Sequence, residues 1–237
     1  MKGLQLLATG GALPGRVVTN EDLSRQVDTS DEWITTRTGI RQRYYCTESE
    51  DAATLAIAAA RQALARSGLA ASEIACCVAA TLSAPTATPS VACRVQAALG
   101  LPENRPAFDV NAACSGFIYA IAAAHGLLNI LGGRYALVIG CEALSRMVDP
   151  TDRTTCVLFG DGAGAAILEL AEDVPFAVTL VVSTGRLGGE RSHPCRRPRS
   201  LRYGPDHDGW QGGLSFCGGN HAALPANRVG AQPKDLG

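Results

Sequence analysis

Lysine is almost missing from this 237-residue chain: Lys2 and Lys234 stand against nineteen arginines. With abundant alanine, that bias points to a GC-rich genome. A formal net charge of -1 excludes the strongly basic surface that nucleic acid or an anionic membrane demands. No C-x-x-C pair occurs among the nine cysteines (Cys46, Cys76, Cys77, Cys93, Cys114, Cys141, Cys156, Cys195 and Cys217). Their odd number, and the placement of several inside apolar runs, argues for reduced thiols and against a disulfide framework or a zinc knuckle. No metal site is expected. The first nine residues lack the long apolar core of a signal peptide, and no later apolar run is read as long enough to span a membrane. The expectation is a soluble, cytoplasmic protein of one large domain or two small ones.

What is present centres on Asp109-Val110-Asn111-Ala112-Ala113-Cys114-Ser115-Gly116-Phe117. Residues 105–110 read as a buried strand, and residues 116–130 as a helical run of Ala, Ile and Leu without proline. Cys114 therefore falls at a strand-to-helix turn. Helix-start amides have no internal partner and carry partial positive charge, which favours a thiolate. The small neighbours Ala112, Ala113, Ser115 and Gly116 leave room for a substrate carbonyl, and their N–H groups could stabilise an oxyanion. A packed, inert cysteine is the alternative at this stage.

The rest of the chain reads as support. Residues 4–7 suggest a strand closed by Gly10, Gly11 and Pro14, and Asn20 is expected to cap a short helix carrying Glu21 and Asp22. Ser30-Asp31-Glu32-Trp33-Ile34 opens a second helix that ends at Gly39. Trp33, Arg37 and the arginines of 41–43 form a cluster suited to stacking on adenine and pairing with phosphate, or equally a half-buried tryptophan among solvated cations. Residues 50–67 form the clearest helix, with Gly68 at its end. Residues 74–81 read as a strand covered on both faces and 135–141 as a further apolar strand, with a helix over 89–99 between them. This alternation implies parallel strands in an α/β fold. The glycines of Phe159-Gly160-Asp161-Gly162-Ala163-Gly164 lack the context of a phosphate loop and are read as a tight turn between two strands.

Together these residues resemble the beta-ketoacyl-acyl carrier protein synthase III family of thiolase-like condensing enzymes. The likeness runs from about residue 4 to residue 168 through five motifs in order: Ser30-Asp31-Glu32-Trp33-Ile34 with Arg37-Thr38-Gly39-Ile40, Thr88-Pro89-Ser90-Val91-Ala92-Cys93, the Cys114 stretch, Asp149-Pro150-Thr151-Asp152-Arg153, and Leu158-Phe159-Gly160-Asp161-Gly162-Ala163-Gly164. The resemblance implies the N-terminal half of a thiolase-like fold, a mixed sheet flanked by helices, over residues 1–185. It implies Cys114 as the nucleophile of a decarboxylative condensation of acyl-CoA, acetyl-CoA foremost, with malonyl-acyl carrier protein. Trp33 and Arg153 would hold the adenine of CoA, and Arg37 would contact the CoA side of the tunnel. Thr88 and Pro89 would shape the acyl pocket at the interface of a homodimer. Acyl-CoA enters as substrate, and no separate cofactor is implied.

The family's second half supplies a histidine, an asparagine and a glycine-rich loop, and the chain is expected to stop short of them. His125, His193, His207 and His221 do not stand in that histidine motif. From residue 186 to residue 237 there is one valine, Val229, and no isoleucine, a composition read as disorder. A one-nucleotide shift offers a more specific reading of residues 186–237. The single Trp210 codon followed by Gln211 forces glycine and then lysine or arginine in the shifted frame. Codons chosen across residues 208–222 then give Met-Asp-Gly-Lys-Ala-Val-Phe-Arg-Phe-Ala-Val-Glu-Thr-Met, which is similar to the family's second half. The chain as written is accordingly expected to be inactive in condensation. A non-catalytic dimerisation remnant, or a related CoA-dependent enzyme such as a 3-hydroxy-3-methylglutaryl-CoA synthase, are the competing readings.

Overall fold

The structure, a computed structural model, describes residues 2–172 and 174. The expectations placed on residues 186–237, disorder and a changed frame, lie outside the described residues.

A five-stranded mixed sheet organises the fold, in the order β1-β7-β6-β4-β5. β1 is Gly3–Ala12, β4 Ile74–Ala80, β5 Ala107–Val110, β6 Tyr135–Ala143 and β7 Asp161–Ala171. β4 pairs in parallel with β5 and β6, as the alternation of strands and helices implied. β7 runs antiparallel to both β6 and β1, which makes the sheet mixed.

Successive side chains of a strand point to opposite faces, so each strand feeds two cores. Cys77, Ala79, Leu137, Ile139, Cys141, Ala165 and Ile167 pack under α3 (Ala52–Ser67) and α4 (Val91–Leu99). Cys76, Val78, Ala80, Ala136, Val138, Ala166 and Leu168 pack under α5 (Gly116–Leu131). Asp51 caps α3 with a reciprocal capping box through Thr54, and Gly68 ends it in the left-handed region.

A smaller unit occupies the stretch between β1 and α3. β2 (Arg16–Thr19) pairs antiparallel with β3 (Gln42–Tyr45), while α1 (Asn20–Ser24) and α2 (Asp31–Thr38) connect them. Val18, Leu23, Ile34, Cys156 and Val157 form its core. The carboxyl ends of β1, β4, β5 and β6 share one edge of the sheet, with the start of β7 beside them. The small unit and the Cys114 turn both emerge at that edge.

Several local expectations are corrected. β1 continues through Gly10 and Gly11, because a side chain at Gly10 would strike the backbone of Ala59 and glycine lets α3 lie against the strand. Thr19, not Asn20, caps α1; Asn20 is buried and its side chain bonds to Asp31 and Ile40. β5 is a half-buried edge strand, paired on one side only among the described residues. The glycines of 160–164 do not join two strands; residues 153–158 form turns, and Gly162 and Gly164 lie within β7. Finally, residues 113–131 are long and apolar enough to span a membrane, contrary to the reading from sequence. Here the stripe Gly116, Ala120, Ala124 and Leu128 is buried on the sheet, so the apolarity of this helix serves packing against β4 and β6.

Candidate active site

Cys114 sits in a three-residue 3-10 turn, Ala113–Ser115, between β5 and α5. Ala113 holds φ 45°, a left-handed conformation that a residue with a Cβ adopts at a cost of about 1–3 kcal/mol. The surroundings impose it. Thr81 donates its N–H to the Val110 carbonyl at 3.1 Å, tying the exits of β4 and β5 together. A Cβ at Gly116 would lie 3.3 Å from the Cβ of Ala80, so glycine lets α5 begin against β4 and fixes where the turn must fit. The ring of Phe117, one residue on, lies over Gly140 of β6.

Of the seven free cysteines among the described residues, Cys114 is the exposed one. Burial pushes the thiols of Cys76 and Cys141 up to about 12 and raises that of Cys77 further still. Cys46 is also pushed up to about 12 by burial, with the Asp161 carboxylate adding to the effect. Those thiols stay protonated at neutral pH.

The turn amends one expectation. The Ser115 and Gly116 amides donate to the carbonyls of Ala112 and Ala113, so neither is free for an oxyanion while the turn is closed. The helix behind the cysteine is also only half-buried, with Phe117, Ile118, Ile130 and Leu131 exposed.

At the exit of β4 stands a carboxylate that the sequence reading missed. Glu142, at the end of β6, accepts from the Leu82 N–H at 2.9 Å, from the Ser83 hydroxyl and from the Thr81 hydroxyl at 3.5 Å. Burial raises its pKa, with the hydrogen bonds from Ser83 and Leu82 opposing the shift. Glu142 thereby braces the chain leaving β4, where the Thr81 N–H is tied to Val110. One acidic residue ending an apolar strand was the only signal in the sequence. Asp161 was read merely as part of a glycine turn. Its carboxylate accepts from the Cys46 N–H at 2.7 Å and the Ser145 N–H at 2.8 Å, joining the small unit to the main sheet.

The three residues expected at a CoA site meet in the small unit. Ser30 caps α2 through the Trp33 N–H at 3.0 Å, and fully buried Ile34 anchors the helix, a burial worth about 1.5–3 kcal/mol. Arg37, one turn after Trp33, places its guanidinium carbon 4.5 Å from the indole centroid. Arg153 arrives from the far side of the sequence, 5.1 Å from the same ring, and donates to the Asp28 carbonyl at 2.7 Å. Both distances lie within cation–π range. Arg43, grouped with this cluster from the sequence, is instead buried under it. The Thr29 hydroxyl, next to Asp28, is enclosed with no hydrogen-bond partner among the described residues, and nothing in the sequence marked it. Cys114 belongs to the main sheet and the Trp33 cluster to the small unit, the two being linked through Asp161.

Comparison with known proteins follows this geometry closely. Residues 108–184 match the family model of 3-oxoacyl-[acyl-carrier-protein (ACP)] synthase III. A beta-ketoacyl-[acyl-carrier-protein] synthase III of Rhodospirillum centenum is 50% identical over 188 residues, 79% of this chain and 58% of that protein. Its counterpart from Escherichia coli strain K12 is 45% identical over 184 residues, 78% of this chain and again 58% of the relative. The crystal structure of 3-oxoacyl-[acyl-carrier-protein] synthase III from Aquifex aeolicus superposes with a TM-score of 0.68 at 48% identity, covering 72% of this chain and 55% of that one. A priming beta-ketosynthase from a polyketide biosynthetic pathway gives a TM-score of 0.69 at 36% identity, over 73% of this chain and 52% of that one. The chain thus spans less than two thirds of each of these relatives. The fold is thiolase-like, and over its matched residues the chain is similar to beta-ketoacyl-acyl carrier protein synthase III.

Proposed function

We propose that the chain serves a ketoacyl-acyl carrier protein synthase III that begins fatty-acid synthesis in the cytoplasm. The exposed Cys114 in its strained turn, at the carboxyl edge of the sheet, is the observation that carries this reading. The Cys114 sulfur would attack the carbonyl of acyl-CoA; the carbon–sulfur bond to CoA breaks, and CoA leaves as its thiol. Malonyl-acyl carrier protein would then lose carbon dioxide, and the electron pair left behind would attack the enzyme thioester and expel the Cys114 thiolate. No cofactor beyond the substrate CoA takes part.

Trp33, Arg37 and Arg153 suit the nucleotide end of CoA. Two planes that sandwich an adenine stand roughly 7 Å apart, twice a carbon contact distance. Arg153 lies 5.1 Å from the Trp33 ring, so its guanidinium would swing outward to admit the base. Homodimerisation is supported by the outer edge of β5, which carries no strand among the described residues and is open to pairing.

The second half of the reaction needs groups that stabilise a carbanion. The single histidine among the described residues, His125, lies nine residues into α5, about 14 Å along the helix, and its ring meets the Lys2 carbonyl at 2.9 Å. It does not face the Cys114 turn. Removing one donor to a developing charge typically costs about 3 kcal/mol. The 237-residue chain is therefore expected to form no beta-ketoacyl product from acetyl-CoA and malonyl-acyl carrier protein. A chain continued in the shifted frame after about residue 186 is expected to form it. Sequencing the gene around the Gly185 codon and assaying both proteins decides between this reading and a non-catalytic remnant. Product from the chain as written would refute the frame proposal; none from either protein would refute the synthase.

The priming ketosynthase of the polyketide pathway is as similar in fold as the fatty-acid relatives, which supports priming of polyketide synthesis as a second reading. Acyl-CoA competition at Cys114, acetyl against longer chains, separates the two.

A further inference from the structure

The clamp residues are carried by two segments far apart in the chain. Trp33 and Arg37 ride on α2, and Arg153 on residues 153–158. Beneath them lie two buried polar side chains that no step of the chemistry uses, Asn20 at 1% exposure and Arg43 at 5%. The Asn20 amide donates to the Asp31 carboxylate at the start of α2 and to the Ile40 carbonyl just after its end, both at 2.7 Å. Its oxygen accepts from Arg43 Nη2 at 2.9 Å. The same nitrogen donates to the Val157 carbonyl at 3.0 Å, while Nη1 reaches the Val18 carbonyl at 3.4 Å.

Two buried residues thus grip both ends of α2 and the Arg153 segment. A guanidinium buried without a carboxylate against it is a costly device for stability alone. Its Nε has no hydrogen-bond partner among the described residues, and burial lowers its pKa from the ordinary arginine value. A hydrophobic residue would fill the space at lower cost, but it could not hold two backbone segments at a set separation.

We propose that Asn20 and Arg43 are the positioning pair of the CoA clamp, setting the distance between α2 and the Arg153 segment through the Ile40 and Val157 carbonyls. This rests on the reading of Trp33, Arg37 and Arg153 as the CoA site. Neither residue touches the ligand. Their effect is on the gap between Trp33 and Arg153, and hence on affinity for the nucleotide rather than on the Cys114 thiol.

The test is titration calorimetry of the full 237-residue chain with acetyl-CoA, with iodoacetamide alkylation of Cys114 followed in the same samples. Asn20→Ala removes the side chain's hydrogen bonds to Asp31, Ile40 and Arg43 and is expected to raise Kd about tenfold, while alkylation of Cys114 stays within about twofold. Arg43→Lys keeps the charge but offers one nitrogen to several acceptors, and should weaken binding about as much; it carries the test if Asn20→Ala fails to fold. Leu23→Ala loosens the same core without touching either grip and serves as the control. It should lower the melting temperature and leave Kd within about twofold. Equal weakening by Leu23→Ala, or unchanged Kd in both Asn20→Ala and Arg43→Lys while Trp33→Ala weakens binding, overturns the positioning pair and leaves the clamp standing. No binding by the unaltered chain, or binding indifferent to Trp33→Ala, overturns the clamp and the pair with it.

Discussion

The two faces of the main sheet are built from alternate residues of the same strands, yet they are covered to different depths. On one face α3 buries seven of its residues, six of them alanines, and α4 packs beside it. On the other, α5 buries only Gly116, Ala120, Ala124 and Leu128, although it carries no charged residue at all and α3 carries two arginines. Apolar composition does not decide which helix is inside. α3 is a surface helix whose polar side meets water, whereas the outer face of α5 has the composition of an interior layer. Exposed apolar side chains at both ends of the helix, Phe117 and Ile118 at its start and Ile130 and Leu131 at its end, mark surface open to contact.

The contrast can be broken most severely on the α3 side. Ala59 is fully buried against Gly10, and Ala59→Asp would place an unpaired carboxylate there. Loss of more than about 4 kcal/mol is expected, with no cooperative melt by circular dichroism. A cooperative melt near that of the parent would mean that α3 is not the sealed face.

Thiol labelling sharpens the comparison. Cys77 and Cys141 lie under α3, and Cys76 lies under α5. All three are buried and protonated at pH 8, so labelling reports opening of the covering helix. Cys76 is expected to label about tenfold faster than Cys77, because among the described residues no outer layer covers α5, which opens more readily. Mass spectrometry after timed quenching reads the ratio, and parity would show that α5 is held as firmly as α3.

The same thiols set a pH dependence. Their folded pKa values are raised, so the folded state holds more protons than the unfolded one at alkaline pH. The stability they contribute is complete below the unfolded thiol value of about 8.5 and is lost as pH rises toward about 12. A melting temperature that falls steadily above pH 8.5, and falls less in Cys76→Ala, is the expected result. A flat profile to pH 10 would exclude it.

The smallest effect belongs to the outer side of α5. Ile118 is 40% exposed, and Ile118→Arg should change the stability of this chain by no more than about 0.5 kcal/mol. In a protein continued in the shifted frame the same substitution should be strongly destabilising, because the position would then be covered. Equal tolerance in both proteins would mean that no second layer packs there.

Most of the elements were legible because their signals are local. Ser30 and Gly39 bracket α2 as read, the run 74–81 is β4, and the small residues around Cys114 mark a turn between strand and helix. Trp33 and Arg37 are one helical turn apart, so their meeting followed from spacing. What the sequence could not display was anything decided by partners distant along the chain. The length of β1 depends on β7, which lies more than 150 residues away, and Gly10 is strand rather than turn because α3 needs the space. Asn20 looks like a cap, but Asp31, Ile40 and Arg43 claim its side chain. Glu142 became a brace only when β4 and β6 were laid side by side.

The amino-acid sequence by itself therefore determined the helices α2 to α5, the strands β4 and β6, and that one cysteine lies at a helix start, since hydrophobic period, caps and glycines act within a few residues. Tertiary structure alone decided that this cysteine is the exposed one while others are sealed, that Glu142 braces the exit of β4, and that Arg43 lies beneath Trp33 and Arg153. Burial and hydrogen-bond partnership are properties of what the fold brings alongside, and no local pattern encodes them.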